Sequence, residues 1–534
     1  MATAISENLR TNGEAKRVAV IGHMTATANR MVLPKDVRRA AQLVRLNNFV
    51  RVATEDGQFL DHLAYLRDKR EVPANDPFSV WEMYLCSALL LSSHLHRHGF
   101  NTKVVNFIDS DTEEAQFREL AEFAPEIVVV STTFVLSQKH LTDIGHKLRA
   151  ALPNAFIVAG GHHVFTTLLY MSSKDRGDYL TSAKMDAFVY DTQGEAALLE
   201  ICKSHPGSLS HIPSVVWQSP NGVIENTTVR EENDINHTLI DFDQIPPNSV
   251  VHIRTARSCS FKCAFCSYPT IAGDLALMDV ENVIGTLHRA KAAGVKAIFF
   301  VDDTFNVPRP RFESLIDRMI EEGINLPWYS FLRCQYVDEP LVQKMAQSGC
   351  RGVFLGVESG SNKMLKNMKK GAIVEFYRKG VRWLRDAGIV TVGSFIIGFP
   401  GETDETVAET QEFIENSGLD YYFIQPFYYL HHTPIHKRAK EWDLTGEGLF
   451  WSHKTMNWSK ALEHVNRSFL EIKNATFINP DYTLWEIAYL ATKGMTLPEI
   501  KAYRDEINAL TRQQMERFGI TSADVTSRDR SRVA

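Results

Sequence analysis

The chain has 534 residues, 44% of them hydrophobic and 23% charged, with a net charge of −6. That length exceeds one ordinary domain, and the acidic balance gives no electrostatic footprint for a nucleic-acid backbone or an anionic membrane. No stretch reaches the ~20 consecutive apolar residues of a membrane span, and the polar start MATAISENLRTNGEAKR lacks the apolar core of a signal peptide, so a cytoplasmic enzyme with a frayed start over residues 1–16 is expected.

Residues 17–205 alternate short apolar runs with helical patterns. RVAVIG (17–22) reads as a buried strand and WEMYLCSALLLSSHLHRHG (81–99) as an amphipathic helix closing on Gly99; TKVVNFI, EIVVVSTTF, AFIVAGGHH and MDAFVYDTQGE follow as strands. All-apolar runs separated by helices predict an α/β domain with a doubly wound, Rossmann-like parallel sheet. Ligands in such folds bind at the carboxyl ends of the strands. Those ends read GHMTATANR, STTFVLS, GGHHVF and DTQGE, and their Gly, Ser and Thr content lets a large ligand approach the backbone. Residues 206–250 are Pro- and Asn-rich, contain the hairpin-like VVWQSPNGVIEN, and are expected as a linker.

A second alternation covers 251–430, with strands expected at VHIRTA, AIFFVDD, WYSFLR, GVFLGVESG, TVGSFIIGF and YYFIQPF. Six βα units of this length predict a partial (β/α)6 barrel with its site at the C-terminal strand ends. Residues 431–534 are helical in pattern and end in a charged tail expected to be disordered.

Seven cysteines are too few and too unevenly spread for a disulfide framework, yet Cys259, Cys263 and Cys266 fall together in RSCSFKCAFCSY (257–268), just after the first barrel strand. In a reducing compartment such a loop points to metal or redox chemistry. Iron–sulfur clusters normally take four thiolates, so three cysteines would leave one iron open. Two other readings stay open on the residues alone: a structural zinc completed by a ligand such as His252, or a packed loop with incidental cysteines. Cys334 and Cys350 stand apart and read as buried small hydrophobes, and Cys86 and Cys202 fit helix cores.

The spacing C-x3-C-x2-C, with Phe265 before the last cysteine, resembles the signature loop of the radical S-adenosylmethionine (SAM) superfamily. The resemblance implies a [4Fe–4S] cluster held by Cys259, Cys263 and Cys266, whose open iron chelates the amino and carboxylate groups of SAM. One electron, from a flavodoxin- or ferredoxin-like reductant, then cleaves SAM to methionine and a 5′-deoxyadenosyl radical. The resemblance extends over about 251–430. VDDTF (301–305) implies Asp302 or Asp303 at the SAM ammonium. FLGVESG (354–360) implies Glu358 and Ser359 at the ribose and methionyl group, and SFIIGFPGET (394–403) implies Ile396 and Gly398 on the adenine; Phe265 and Arg333 complete the implied SAM site.

The preceding domain, with PEIVVVSTTF, AFIVAGGHHVF and MDAFVYDTQGEAALLEI in order, resembles the cobalamin-binding domain of class B radical SAM methyltransferases. This implies a corrinoid contacted by Thr132, Thr133, Gly160, Gly161, His162, Gln193, Gly194 and Glu195. The chain lacks the D-x-H-x-x-G motif that supplies a cobalt-ligating histidine elsewhere, and His162 and His163 read as cofactor-edge or helix-capping groups. The implied reaction moves a methyl group from SAM, by way of cobalamin, to an unactivated carbon or a phosphinate phosphorus of a small-molecule or peptide substrate. The chain length and GLFWSHKTMNWSKALEHV (448–465) are similar to the phosphinate P-methyltransferases and related peptide-modifying methylases. Arg254 and Arg257, with Arg333, are the candidate cations for an acidic substrate, and Tyr429 and His431 in QPFYYLHHTPIHKR the candidate proton-moving groups. A non-methylating rearrangement or cyclisation on the same cofactors, or an iron–sulfur/corrinoid sensor, are the alternatives.

Overall fold

The computed structural model describes residues 15–25, 30–33, 36, 40, 47–73, 76 and 78–520. The charged tail at 521–534, most of the frayed start and residues 26–29 of GHMTATANR lie outside them. The chain divides into two compact units, residues 1–28 with 81–251 and residues 29–80 with 252–534. Among the described residues no helix is long and apolar enough to cross a membrane.

In the first unit, β1 (Arg17–Met24), β2 (Asn101–Ile108), β3 (Ile127–Ser131), β4 (Phe156–Gly160) and β5 (Ala187–Val189) form a parallel sheet in the order β2-β1-β3-β4-β5. The all-apolar runs are explained by burial on both faces. Ala19, Ile21, Val128 and Val130 pack into one core, while Val18, Val20, Ile127 and Val129 alternate into the other. Each such side chain contributes ~1.5–3 kcal/mol of apolar burial. The strand order reverses between β1 and β3, which opens a crevice at their carboxyl ends.

Two features differ from the expected organisation. The stretch read as a linker contains β6 (Val215–Ser219) and β7 (Gly222–Glu225), a hairpin that pairs antiparallel to β5 and extends the first sheet. Residues 29–80 group with the second unit instead of the first. The cause is a buried polar network with the C-terminal helices. Arg504 donates to Glu486 (2.9 Å) and meets His62 Nδ1 (2.8 Å), Tyr503 donates to the His62 carbonyl (2.8 Å), and Tyr482 donates to Asp61 (2.8 Å). Asp61 and His62 lie over 400 residues from these C-terminal partners, so no local periodicity could reveal the pairing.

The second unit carries β8 (Val250–Ile253), β9 (Ala297–Phe300), β10 (Trp328–Leu332), β11 (Cys350–Glu358), β12 (Val390–Ile397) and β13 (Tyr421–Pro426) in sequential order, closed on one side by β14 (Thr476–Phe477). The six expected barrel strands are thus all present. Helices such as Val280–Ala292 and Arg309–Glu321 follow the strands and cover the outer face with Val283, Leu287, Phe312 and Leu315. The C-terminal region is helical at Trp458–Glu471, Thr483–Thr492 and Leu497–Arg517.

His252 sits inside this unit between the rings of Trp485 (4.8 Å) and Phe299 (5.6 Å), and its Nε2 is buried with no hydrogen-bond partner. It is a core residue, and the zinc-ligand reading is corrected accordingly. Burial pushes its pKa down to about 3. The unfolded chain takes up a proton near pH ~6.5, whereas the folded chain resists protonation until far lower pH. Stability associated with His252 is therefore complete above the unfolded pKa and is lost as pH falls toward about 3. Between pH ~7.5 and ~5 the wild type is expected to lose about 2 kcal/mol more than His252→Phe, read from urea unfolding at each pH. Equal losses would disprove the assignment.

Candidate active site

The barrel strands end in a cavity of about 260 Å³ lined by Cys259, Cys263 and Cys266 together with Asp303, Glu358 and Lys370 among others. The cysteine loop is fixed from outside. Ala264 donates its backbone N–H to Met368 (2.8 Å) and accepts from Ile435 (2.9 Å), and the Cys266 N–H closes a turn on Cys263 (3.1 Å). The Cys259 sulfur lies 3.8 Å from Thr304 Oγ1. Burial pushes the Cys266 thiol up to about 11, and also raises Cys263, against which Lys370 and Arg333 pull.

Arg333 is nearly fully buried. Its guanidinium stacks on Phe261 at 3.5 Å, and Nη2 donates to the Lys370 carbonyl (2.9 Å) and approaches the Cys263 sulfur at 3.6 Å. Nη1 is buried with no hydrogen-bond partner. Three thiols, an orphaned guanidinium N–H and the Lys370 ammonium suit a group that carries negative charge on sulfur. The residues present therefore fit a three-thiolate iron–sulfur cluster. Among the described residues no three His, Cys, Asp or Glu side chains gather around one point as a single ion would require; a cluster takes its thiolates on separate irons. Arg333 belongs to this wall of the cavity and is not a substrate cation at its mouth.

Glu358 owes its position to a break in β11. The register with β12 shifts between Gly356 and Glu358, and Glu358 adopts φ +69°, a left-handed conformation uncommon for a residue with a side chain. Its carboxylate receives Lys370 Nζ at 2.7 Å, with both side chains buried. A Cβ on Gly356 would fall 2.7 Å from Glu358 Oε1 and 3.0 Å from Lys370 Nζ, so only glycine leaves room for this pair. Lys370 Nζ also stands 5.8 Å over the Phe265 ring.

The adjacent acids separate in role. Asp302 is fully enclosed and accepts from Thr255 N (2.6 Å), Thr255 Oγ1 (2.5 Å) and Ala256 N (2.9 Å). It fixes the exit of β8 toward the cysteines and does not line the cavity. Asp303 lines the cavity, and burial with the neighbouring Asp302 charge raises its pKa to about 7.

Several other expected contacts fall elsewhere. Ser359 is fully buried and pairs with Thr410 Oγ1 (3.1 Å) and the Ser361 N–H (3.1 Å), which makes it a turn residue. Gly398, at φ +95°, lies under Trp451, whose ring a Cβ there would strike, and donates its N–H to buried Glu402; it does not line the cavity. Ile396 is half-buried on β12 in register with Gln425 but does not line the cavity. Tyr429 OH pairs with His436 Nδ1 (2.6 Å) and His431 Nε2 with the Gly446 carbonyl (3.2 Å). Neither side chain lines the cavity of the cysteines. Arg254 lies near Tyr268, and Arg257 lies in a short ladder with Ala276; neither lines the cavity. Sequence reasoning missed Lys370, Thr304, Tyr268 and Phe261, all on the cavity wall.

In the first unit, the strand ends divide similarly. Thr132 is buried and donates to the Gly160 carbonyl (2.9 Å), and a Cβ on Gly161 would meet its Oγ1 at 3.3 Å. Gly160 packs on Val189, and Gly194, at φ +84°, does the same. Gln193 donates to the Glu231 carbonyl (2.8 Å) and accepts from Asn233 N (2.9 Å), while Glu195 accepts from Asn233 Nδ2 (2.9 Å). These groups hold the chain beyond β7 in place. Thr133, Leu136 and His162 remain exposed at the ends of β3 and β4.

Residues 253–414 match the model of the radical SAM superfamily. The chain is 28% identical over 334 residues to an uncharacterized methyltransferase of Pyrococcus horikoshii, covering 59% of this chain and 71% of that protein. It is 32% identical over 363 residues to a putative methylthiotransferase of Methanocaldococcus jannaschii, covering 64% and 74%. Among solved structures it is similar in fold to TsrM of Kitasatospora setae, a radical SAM methyltransferase with cobalamin and a [4Fe–4S] cluster bound (TM-score 0.53, 18% identity, 67% of this chain and 75% of that one). It is also similar to the cobalamin-dependent radical enzyme OxsB (TM-score 0.54, 15% identity, 96% and 77%). At those identities the structural likenesses speak to the fold. The sequence relationship covers the strands that bear the cysteine loop, Glu358 and the Gly398 turn, and on it the chain belongs to the radical SAM superfamily.

Proposed function

We propose that this enzyme is a cobalamin-dependent radical SAM methyltransferase that acts on an unactivated carbon or a phosphinate phosphorus of a natural-product-type substrate. The observation that carries the reading is the cavity in which Cys259, Cys263 and Cys266 meet the buried Lys370–Glu358 pair. When bound, the cluster supplies the electron that splits the SAM sulfonium, and the corrinoid carries the methyl group. Lys370 and Arg333 hold positive charge beside the thiolates, and Glu358 with Asp303 supplies oxygen acceptors for an ammonium or a ribose hydroxyl. Phe331 and Phe354 close the cavity with apolar surface and exclude water from the radical. Thr133, His162 and Leu136 offer the strand-end face for the corrinoid in the first unit. Likeness to TsrM and OxsB supports a corrinoid in this family setting, and the 448–465 resemblance leaves phosphinate and peptide acceptors both open.

The test is anaerobic reconstitution with iron, sulfide and cobalamin, followed by mass spectrometry of candidate phosphinate, peptide and small-molecule substrates. Formation of both S-adenosylhomocysteine and 5′-deoxyadenosine, with a product heavier by one CH2, is expected. Turnover undiminished without cobalamin would sink the reading. Curated relatives also include an anaerobic magnesium-protoporphyrin IX monomethyl ester cyclase of Cereibacter sphaeroides, 24% identical over 352 residues. A product with no added CH2 would favour such ring-forming chemistry.

A further inference from the structure

The stretch SGSNKMLKNMKKGAIV (359–374) carries four lysines and no acidic residue, in a chain whose net charge is −6. Lys370 turns inward to Glu358. Lys363, Lys366 and Lys369 are exposed. Lys366 and Lys369 border a shallow groove of about 600 Å³ with Ile373, 47% exposed, and Phe376, 41% exposed. Lysines rimming exposed large apolar side chains form the anatomy of an interface, with a steering rim and a desolvated centre.

The backbone beneath this groove is bonded to the cysteine loop. The Met368 carbonyl, one residue before Lys369, accepts the N–H of Ala264 at 2.8 Å. The Lys370 carbonyl accepts Arg333 Nη2 at 2.9 Å, and the same nitrogen reaches the Cys263 sulfur at 3.6 Å. Electron tunnelling falls steeply with distance and is favoured along covalent and hydrogen-bonded paths. A protein that delivers an electron to this loop therefore gains most by seating where the backbone is bonded to it.

We propose that the groove is the docking surface for a small acidic one-electron carrier protein of the flavodoxin or ferredoxin type, steered by Lys366 and Lys369 and seated on Ile373 and Phe376. The proposal rests on the radical SAM reading above. One electron leaves the reduced carrier and enters the cluster, and no atom is transferred. Electron-transfer interfaces are small and transient and rely on charge complementarity for their encounter rate. A lysine-rimmed groove on an otherwise acidic chain meets both conditions.

The test uses the full reconstituted chain and a bacterial flavodoxin as probe. Titration calorimetry with oxidised flavodoxin is expected to show binding that weakens with salt, at least about tenfold weaker in K366E/K369E and nearly unchanged in K366R/K369R. I373S/F376S weakens it through the apolar centre without altering charge. In parallel, K366E/K369E is expected to form 5′-deoxyadenosine at the wild-type rate with dithionite and at least about tenfold more slowly with limiting reduced flavodoxin. Unchanged flavodoxin affinity in K366E/K369E, an equal loss with dithionite, or a transfer RNA that binds this face in place of flavodoxin would each overturn the proposal. If the wild type fails to cleave SAM even with dithionite, the enzyme reading fails, and the calorimetry still decides the docking surface.

Discussion

Replacing Cys259, Cys263 or Cys266 singly by alanine is expected to strip iron from the reconstituted protein and to reduce SAM cleavage to background, whereas Cys334→Ala retains both. All four cysteines lie near Arg333 in space or in sequence, so proximity alone does not separate them. The first three open onto one cavity; Cys263 feels the charge of Cys259, and Cys266 feels that of both. Cys334 follows Arg333 directly but points away from that cavity into the packing of the helix Val374–Asp386. A Cβ on Gly380 would fall 2.6 Å from its sulfur, and burial pushes its thiol up to about 12. Enclosed in that packing and absent from the cavity lining, its sulfur has no access to the space the other three thiols share. Its loss removes one small buried group and costs about 1 kcal/mol of stability. Iron and sulfide per chain, together with 5′-deoxyadenosine yield, check the set. Full iron loading in any of the first three variants, or loss of iron in Cys334→Ala, contradicts the ligand assignment.

What could be read from the sequence followed from how local each signal was. The parallel strands were legible because runs such as VAVI and IVVV are buried on both faces, and their composition alone carries that fact. The cysteine loop was legible because cysteine is rare and three fall within eight residues. Gln193 and Glu195 looked like strand-end cofactor groups, yet their amide and carboxylate are occupied by Asn233, some forty residues onward. Asp302 and Asp303 are adjacent and chemically identical, and only the turn after β9 decides that one faces Thr255 and the other the cavity. Lys370 was hidden within a lysine-rich surface run, where an inward-facing member has no distinguishing mark. Its partner Glu358 was visible only as a motif residue. The grouping of 51–69 with helix Leu497–Arg517 depends on buried polar pairs across most of the chain. Pairings of that kind are set by three-dimensional closure.

Lys370→Met is expected to lower both stability and SAM affinity, and its combination with Glu358→Gln to restore stability alone. Lys370 and Glu358 form an ion pair whose side chains are 7% and 10% exposed. Removing one member leaves a buried charge without its partner, which costs ~3–5 kcal/mol. Glu358→Gln relieves that penalty in the methionine background, because no uncompensated charge remains; the two single losses are therefore strongly non-additive in stability. SAM binding should not follow the same cycle. A zwitterion held near Lys370 loses a charge-assisted donor in either background, so affinity stays ~30-fold or more below wild type in the double variant. Gly356→Ala is expected to reproduce the defect of the double variant by a different route, since its methyl group would occupy the space between the two side chains. Urea unfolding and anaerobic equilibrium dialysis with SAM measure the two arms separately. Recovery of SAM affinity along with stability in Lys370→Met/Glu358→Gln would reduce the pair to a structural brace. The cavity argues against that outcome, because both side chains line the same space as the three cysteines.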